Sequence, residues 1–293
     1  MLIARLIADP DGLSARIDAA RADLAARGVR VAAAAMLDHC GETLEITSPD
    51  DDAAAMLAVL DAHFAPADML VANDDIVLPR VLVSDMDSTM IGQECIDELA
   101  DFAGLKDRVA AITERAMQGD LDFEAALRER VGLLADLPTS AIAECLASRI
   151  KPMSGARTLV ATLKARGCRT VLVTGGFHQF ADPVAELLGF DEVIGNRLEV
   201  SADCLTGGLV GSIVDSSVKK ATLLAEADAL GEHPVTLAIG DGANDIPMIE
   251  AATYGFAYHA KPKARAAANG RIDHGDLSKV LKLLGIPMRD WVS

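Results

Sequence analysis

Two aspartates stand two residues apart directly after a short apolar run: Val81-Leu82-Val83-Ser84, then Asp85-Met86-Asp87-Ser88-Thr89. Carboxylates at i and i+2 share one face of an extended chain. At the carboxyl end of a buried parallel strand they point into the crevice where α/β sheets bind ligands. Two like charges that close are costly unless a cation lies between them or one keeps a proton. Both solutions suit phosphoryl transfer, because Mg2+ takes one or two carboxylates, several waters and a phosphate oxygen. An acidic turn after a buried strand is the plain alternative, since Asp and Ser are ordinary turn residues.

Two further apolar runs end in loops of the same kind. Thr170-Val171-Leu172-Val173 leads into Thr174-Gly175-Gly176-Phe177, a hydroxyl followed by two glycines that let backbone N–H groups approach an anion. Taken alone, it is a glycine-rich loop and nothing more. Val235 to Ile239 leads into Gly240-Asp241-Gly242-Ala243-Asn244-Asp245. A dinucleotide loop does not fit, because the third glycine is absent and the carboxylates would repel a pyrophosphate. Those carboxylates suit a metal better. Before this strand come Lys219 and Lys220, ahead of a helical stretch from Ala221 to Leu230. Either lysine can neutralise a phosphate as a point charge, although most lysines are simply solvated.

The order Asp-x-Asp, Thr-Gly-Gly, Lys, Gly-Asp-Gly-x-Asn-Asp resembles the four motifs of the haloacid-dehalogenase superfamily. The resemblance implies a Rossmann-like α/β sheet and Asp85 as a nucleophile that forms an aspartyl-phosphate. It implies Asp87 as general acid and then base. It implies Mg2+ held by Asp85, Asp241 and the backbone carbonyl of Asp87. Thr174, Gly175, Lys219 and Asn244 would bind the substrate's phosphate side, and Asp245 would orient Lys219 or a metal-bound water. Lys219 is preferred to its neighbour Lys220. The second aspartate of the pair separates the chain from transport ATPases and dehalogenases of the superfamily and fits phosphatases and phosphomutases.

Residues 92–152 form an insert with helical periodicity over Gly92–Phe102, Lys106–Met117, Asp122–Leu134 and Ser140–Arg149, broken at Gly104, Gly119 and Pro138. A helical cap over the crevice would exclude water. Glu94-Cys95-Ile96-Asp97-Glu98, the stretch from Phe123 to Arg130-Val131, and Gly240 to Asp245 resemble the phosphoserine phosphatase branch, across about residues 78–285. That resemblance implies Glu94 at the substrate ammonium and Arg130 at its carboxylate, a geometry guanidinium suits. From its own neighbourhood, Arg130 reads as a member of a surface ion pair in a mixed-charge stretch. Phosphoserine hydrolysis, the last step of serine biosynthesis, is the activity implied. Transfer of the phosphoryl group to another alcohol such as homoserine is the alternative. Thr174 departs from the serine usual in the family but keeps the hydroxyl.

The elements ahead of this unit are different. Strands at 1–8, Val29–Met36, Glu42–Thr47 and Met69–Ala72, with helices over Asp11–Arg27 and from Asp50 to about Phe64, give βαββαβ, a ferredoxin-like layout. It resembles ACT domains, which implies a regulatory or packing module. The expected division is 1–76 and 77–293. All motif residues follow Arg80, so phosphate release is expected to survive removal of residues 1–75. A homodimer through the first unit is a candidate assembly.

Composition narrows the class further. The 293 residues are too many for one ordinary core, half of them are apolar, and aromatics are only 3%. A net charge of −17 repels nucleic acid, which makes a small molecule the expected partner. Five cysteines at wide spacing with no C-x-x-C argue against a disulfide framework or a zinc site. The N-terminus lacks the basic start and apolar stretch of a signal peptide, and no run approaches the ~18 apolar residues of a membrane helix. Cytoplasmic residence is expected. His178 and His259 lack metal-ligand spacing and read as surface or supporting residues.

Overall fold

The computed structural model describes residues 1–117, 120–231 and 233–293. The chain opens with β1 (Leu2–Ala8), α1 (Leu13–Ala26), β2 (Ala33–Met36), β3 (Thr43–Ser48), α2 (Ala53–Phe64) and β4 (Ala67–Ala72). Their strands lie in the order β2-β3-β1-β4, all antiparallel. One face is covered by the two helices, where Leu24, Met56, Leu60 and Phe64 pack on Leu2, Leu6, Ile46 and Met69. Burying each such side chain contributes about 1.5–3 kcal/mol. The strand expected over Val29–Met36 is ladder-paired only from Ala33. Ahead of it, the Arg30 N–H donates to the Asp50 carboxylate at 2.7 Å, so a side chain ties down the chain there.

The remainder runs β5 (Val81–Ser84), α3 (Cys95–Phe102), α4 (Lys106–Met117), α5 (Phe123–Gly132), α6 (Thr139–Arg149), α7 (Ala156–Lys164), β6 (Arg169–Phe177), α8 (His178–Leu188), β7 (Glu192–Ser201), β8 (Cys204–Val210), α9 (Ser216–Ala229), β9 (Thr236–Gly240), α10 (Ile246–Ala251), β10 (Tyr254–Tyr258), α11 (Pro262–Ala267), β11 (Gly270–Ile272) and α12 (Lys279–Leu283). Strands β11-β10-β9-β5-β6-β7 are parallel, and β8 returns antiparallel to β7. Strand β5 occupies the middle. Val81 and Val83 face Leu223 of α9 and Met248 of α10, while Leu82 belongs to the core on the opposite face with Leu159 and Phe180. A strand buried on both faces has no need of polar alternation. The chain leaves β5 toward β6 on one side and returns to β9 on the other, so the end of β5 is a topological switch point, where open α/β sheets place ligands.

The four helices between β5 and α7 begin and end within three residues of the periodicity read from the sequence. Gly104, with φ +72°, follows α3, and Pro138 precedes α6. The break expected at Gly119 lies outside the described residues. Helix α9 starts five residues earlier than its hydrophobic pattern, because Asp215 accepts from the N–H groups of Ser217 and Val218 and caps it. The insert is tied to the β7–β8 hairpin by backbone bonds: Leu205 N–H to Leu137 O and Asp136 N–H to Leu205 O, both 2.8 Å, and Thr139 N–H to Asp203 O at 2.9 Å.

The first six elements do not make a sheet of their own. Strand β4 pairs antiparallel with β11, Leu70 opposite Gly270 and Met69 opposite Arg271, and eleven strands form one sheet. Residues 73–80, where the division was expected, carry no helix or strand. The physical reason for the continuity is that two edge strands satisfy each other's open backbone groups.

Candidate active site

Asp85 follows β5 and is 5% exposed. Its Oδ1 accepts from the Met86 N–H at 2.8 Å and lies 2.7 Å from the Lys219 ammonium. Among the described residues, no protein donor occupies Oδ2. The next residues form a tight turn, with the Met86 carbonyl accepting from the N–H groups of Thr89, Met90 and Ile91. That turn carries Asp87 to the start of α3, where its Oδ1 accepts from the Cys95 N–H at 3.1 Å. Burial first, and the neighbouring Glu94 second, push the Asp87 carboxyl up to about 7.

Of the two lysines, Lys219 on α9 is 1% exposed and turned to the Asp85 carboxylate, whereas Lys220 is exposed. Lys219 holds Asp85 and, at 2.6 Å, Asp245 Oδ1. Burial pulls its pKa down, but the two carboxylates outweigh that, and Lys219 stays protonated. Asp245 in turn accepts from the N–H groups of Asp241 and Gly242 with its other oxygen, at 3.1 and 3.0 Å. Gly240 makes room for it: a Cβ there would come within 2.4 Å of the Asp245 carboxyl carbon.

Among the described residues, the Asp241 carboxylate has only long contacts, 3.5 Å to the Thr89 hydroxyl and 3.5 Å to the Lys261 ammonium. Burial and then Asp245 raise its pKa. Burial and Asp245 also drive the Asp85 carboxyl well above its ordinary value, against the pull of Lys219. Asp85, Asp241 and Asp245 each bring one oxygen within 4.8 Å of the others. Asp245 spends both oxygens on close protein donors, whereas, among the described residues, Asp85 Oδ2 has no donor and the Asp241 oxygens have only their two 3.5 Å contacts. Three buried carboxylates face one buried ammonium, Lys219, with Lys261 exposed and 3.5 Å from Asp241, and this leaves a charge deficit that a hard divalent cation fits. The Asp87 carboxyl is not in this group.

The motif on β6 packs alongside. Thr174, 1% exposed, accepts from the Gly176 N–H at 2.8 Å. A Cβ on Gly176 would stand 2.8 Å from Asp87 Oδ2, so a glycine is what lets Asp87 occupy its place. Above these lies a cavity of about 250 Å³, walled by Asp85, Asp87, Thr174, Gly175, Asp241 and Asn244 from the sheet side and by Glu94, Phe123 and Arg130 from the insert.

Arg130 differs from the ion-pair reading of its neighbourhood. Arg128 pairs with Glu124 and Arg115 with Glu129, both at 2.8 Å. Among the described residues, Arg130 forms no ion pair and donates only to the Ala126 carbonyl, at 3.3 Å. Burial lowers its pKa, opposed by Asp97 and Glu94. Glu94, for its part, accepts from the Ser88 hydroxyl at 2.7 Å.

Sequence reasoning assigned no role to Phe123 or Lys261, both of which line the cavity. Lys261 comes three residues after β10, so the rule that picked out the ends of β5, β6 and β9 could have found it. His178 pairs with Asp182 at 2.7 Å, and His259 bonds the Gly275 carbonyl, so both histidines are occupied by protein partners.

The haloacid dehalogenase-like hydrolase family profile matches residues 82–250, more than half of the chain. The chain belongs to this family. Within it, the chain is similar to the phosphoserine phosphatase of Polaromonas sp. strain JS666, at 41% identity over 222 residues, which is 73% of this chain and 94% of that protein. It is 44% identical over 208 residues to the phosphoserine phosphatase SerB2 of Mycobacterium tuberculosis, covering 71% of this chain and only about half, 51%, of that longer protein. The crystal structure of a probable phosphoserine phosphatase from Vibrio cholerae, unliganded, aligns with 99% of this chain and 88% of its own at 30% identity and a TM-score of 0.75.

Proposed function

We propose that the chain hydrolyses O-phospho-L-serine to L-serine and phosphate, supplying serine at the last step of its synthesis. The observation that carries this is the two-sided cavity: phosphoryl chemistry on the sheet side, and an amine-accepting Glu94 beside an ion-pair-free Arg130 on the insert side. The relatives' shared name favours hydrolysis over transfer to another alcohol such as homoserine.

One carboxylate oxygen of Asp85 attacks phosphorus while the bond to the seryl oxygen breaks, and that seryl oxygen takes the proton of Asp87. Asp87, now ionised, accepts a proton from water as the water oxygen attacks the aspartyl-phosphate. Phosphate leaves and Asp85 is restored. Lys219 and the Thr174 loop hold the phosphoryl oxygens, with Gly175 and Asn244 beside them. Asp245 keeps Lys219 aimed at Asp85. Asp85, Asp241 and the Asp87 carbonyl would hold Mg2+, which supplies charge neutralisation of the phosphoryl group. The insert over residues 92–152 acts as the cap. Residues 1–76 form an ACT-like module preceding the catalytic unit 77–293, and the enzyme works in the cytoplasm.

The test is phosphate release from phosphoserine and from phosphoethanolamine, which lacks the carboxylate, by the native chain and by Arg130→Ala, after chelation and after adding Mg2+. Chelation is expected to abolish turnover and Mg2+ to restore it. Arg130→Ala should lose about 2–5 kcal/mol of transition-state stabilisation on phosphoserine and far less on phosphoethanolamine. Equal losses on both esters would make Arg130 a packing residue and remove the basis for the substrate assignment.

A further inference from the structure

Asp68 on β4 is 2% exposed and lies well outside the cavity, yet it collects an unusual number of donors. Its Oδ1 accepts from the N–H groups of Asp273 and His274 at 2.9 Å each and of Gly275 at 3.2 Å, and its Oδ2 from Gly275 again at 3.0 Å. Three successive amides converging on one carboxylate form an anion-binding concavity, filled here by a side chain from the first unit. The loop so held is in contact with the candidate active site by a short path. The Gly275 carbonyl is 2.9 Å from His259 Nε2, which must therefore carry the ring proton. His259 stands in the left-handed region, φ +42°, with its own N–H on the Ile272 carbonyl at 2.8 Å. Two residues on, the Lys261 N–H donates to the Asp241 carbonyl at 2.9 Å, and its ammonium faces the Asp241 carboxylate.

We propose that Asp68 is a positioning residue for the metal-binding side of the active site: it fixes the 273–275 loop, the loop fixes His259, and His259 fixes the backbone that presents Lys261 to Asp241. The first unit thereby sets the cation affinity of a site to which it contributes no lining residue. This rests on the reading of Asp85 and Asp241 as cation ligands. The Gly275 bond, added to the His259 N–H on Ile272, helps hold the histidine in its left-handed conformation, and the Asp68 carboxylate is what gathers the three successive amides that place the Gly275 carbonyl, beside the Arg265 tie to the Asp273 side chain.

The test uses the full chain and titrates Mg2+ by calorimetry, alongside kcat and KM for phosphoserine and the thermal midpoint. The variants are Asp68→Asn, His259→Ala, His259→Gln and the double variant Asp68→Asn/His259→Ala. Asp68→Asn and His259→Ala are each expected to weaken Mg2+ binding threefold or more. The double variant should be no worse than the weaker-binding single, because both break one path. His259→Gln, which keeps a side-chain N–H donor, should restore most of the affinity. Exposed His259 can be changed without threatening the fold, so its two variants decide the matter even if Asp68→Asn proves unstable. Unchanged Mg2+ affinity in the folded variants, additive losses in the double variant, or a His259→Gln as weak as His259→Ala would each overturn the proposal. A native chain that binds Mg2+ with this pattern of variants but leaves phosphoserine intact would refute the substrate assignment and leave the positioning role standing.

Discussion

Asp85 and Asp87 are two residues apart and chemically identical, and the protein makes different groups of them by choosing their neighbours. Asp85 receives an ammonium and a backbone N–H, an environment that suits the attacking carboxylate of the proposed mechanism. Asp87 is pushed up to about 7 by burial first and the nearby Glu94 second, against the lowering effect of the Cys95 N–H, so that it holds its proton below about that pH. In the proposed mechanism the protonated form is the acid for the leaving alkoxide, and it is lost as pH rises through about 7. In a rapid-quench experiment the rate of enzyme phosphorylation by phosphoserine should therefore fall above that pH. Phosphorylation by p-nitrophenyl phosphate, whose leaving group departs without a proton, should not show that limb. The same falling limb with both esters would deny Asp87 its role as acid. The grouping of Asp85, Asp87, Asp241 and Asp245 was legible from spacing and motif order, whereas Lys219 and Lys220 stayed one position apart as alternatives. Arg130 was singled out only through the family resemblance, because a sequence of alternating charges cannot say which arginine stands, among the described residues, outside an ion pair.

At the level of elements, the helices of the insert were legible because each has its own stop signal, such as Gly104 or Pro138. The attachment of that insert to the β7–β8 hairpin was not. It is made by backbone groups of residues such as Leu137 and Leu205, far apart in sequence and without a distinctive side chain. The close approach depends on Gly207, which has φ +82° and would bring a Cβ to 3.1 Å from the Ala135 methyl and 3.2 Å from the Gly132 carbonyl. Gly207→Ala should cost about 1–2 kcal/mol from the left-handed backbone alone, with the contact adding to it. Since the strain falls on the junction, amide exchange at Leu205 and Asp136 should accelerate well before that of β9. Uniform acceleration across the sheet, or none at the junction, would show that the hairpin does not hold the insert.

The whole molecule is joined in a way that local patterns do not announce. The βαββαβ order was legible from periodicity, but β11 has only the three residues Gly270-Arg271-Ile272, too few to carry an alternation, so its pairing with β4 was not. Removing residues 1–75 spares every motif residue but opens the backbone edge of β11, discards Asp68 and takes Ile7, Leu70 and Ala72 out of the main core. The shortened chain is expected to keep some phosphate release, to melt at lower temperature and to self-associate, as light scattering after gel filtration can show. A monomer with the native midpoint would mean that the joint contributes nothing. The same joint also has a consequence in time. Leu70 meets Gly270, about 200 residues later in the chain, so at ribosomal speeds β4 waits roughly 10–40 s for its neighbour. Throughout that wait its sequence, Ala-Asp-Met-Leu-Val-Ala, is an apolar edge open to other nascent chains, and Asp68 is the only charge on it. Before it has any loop to hold, Asp68 is the residue that makes β4 a poor strand for a stranger to join.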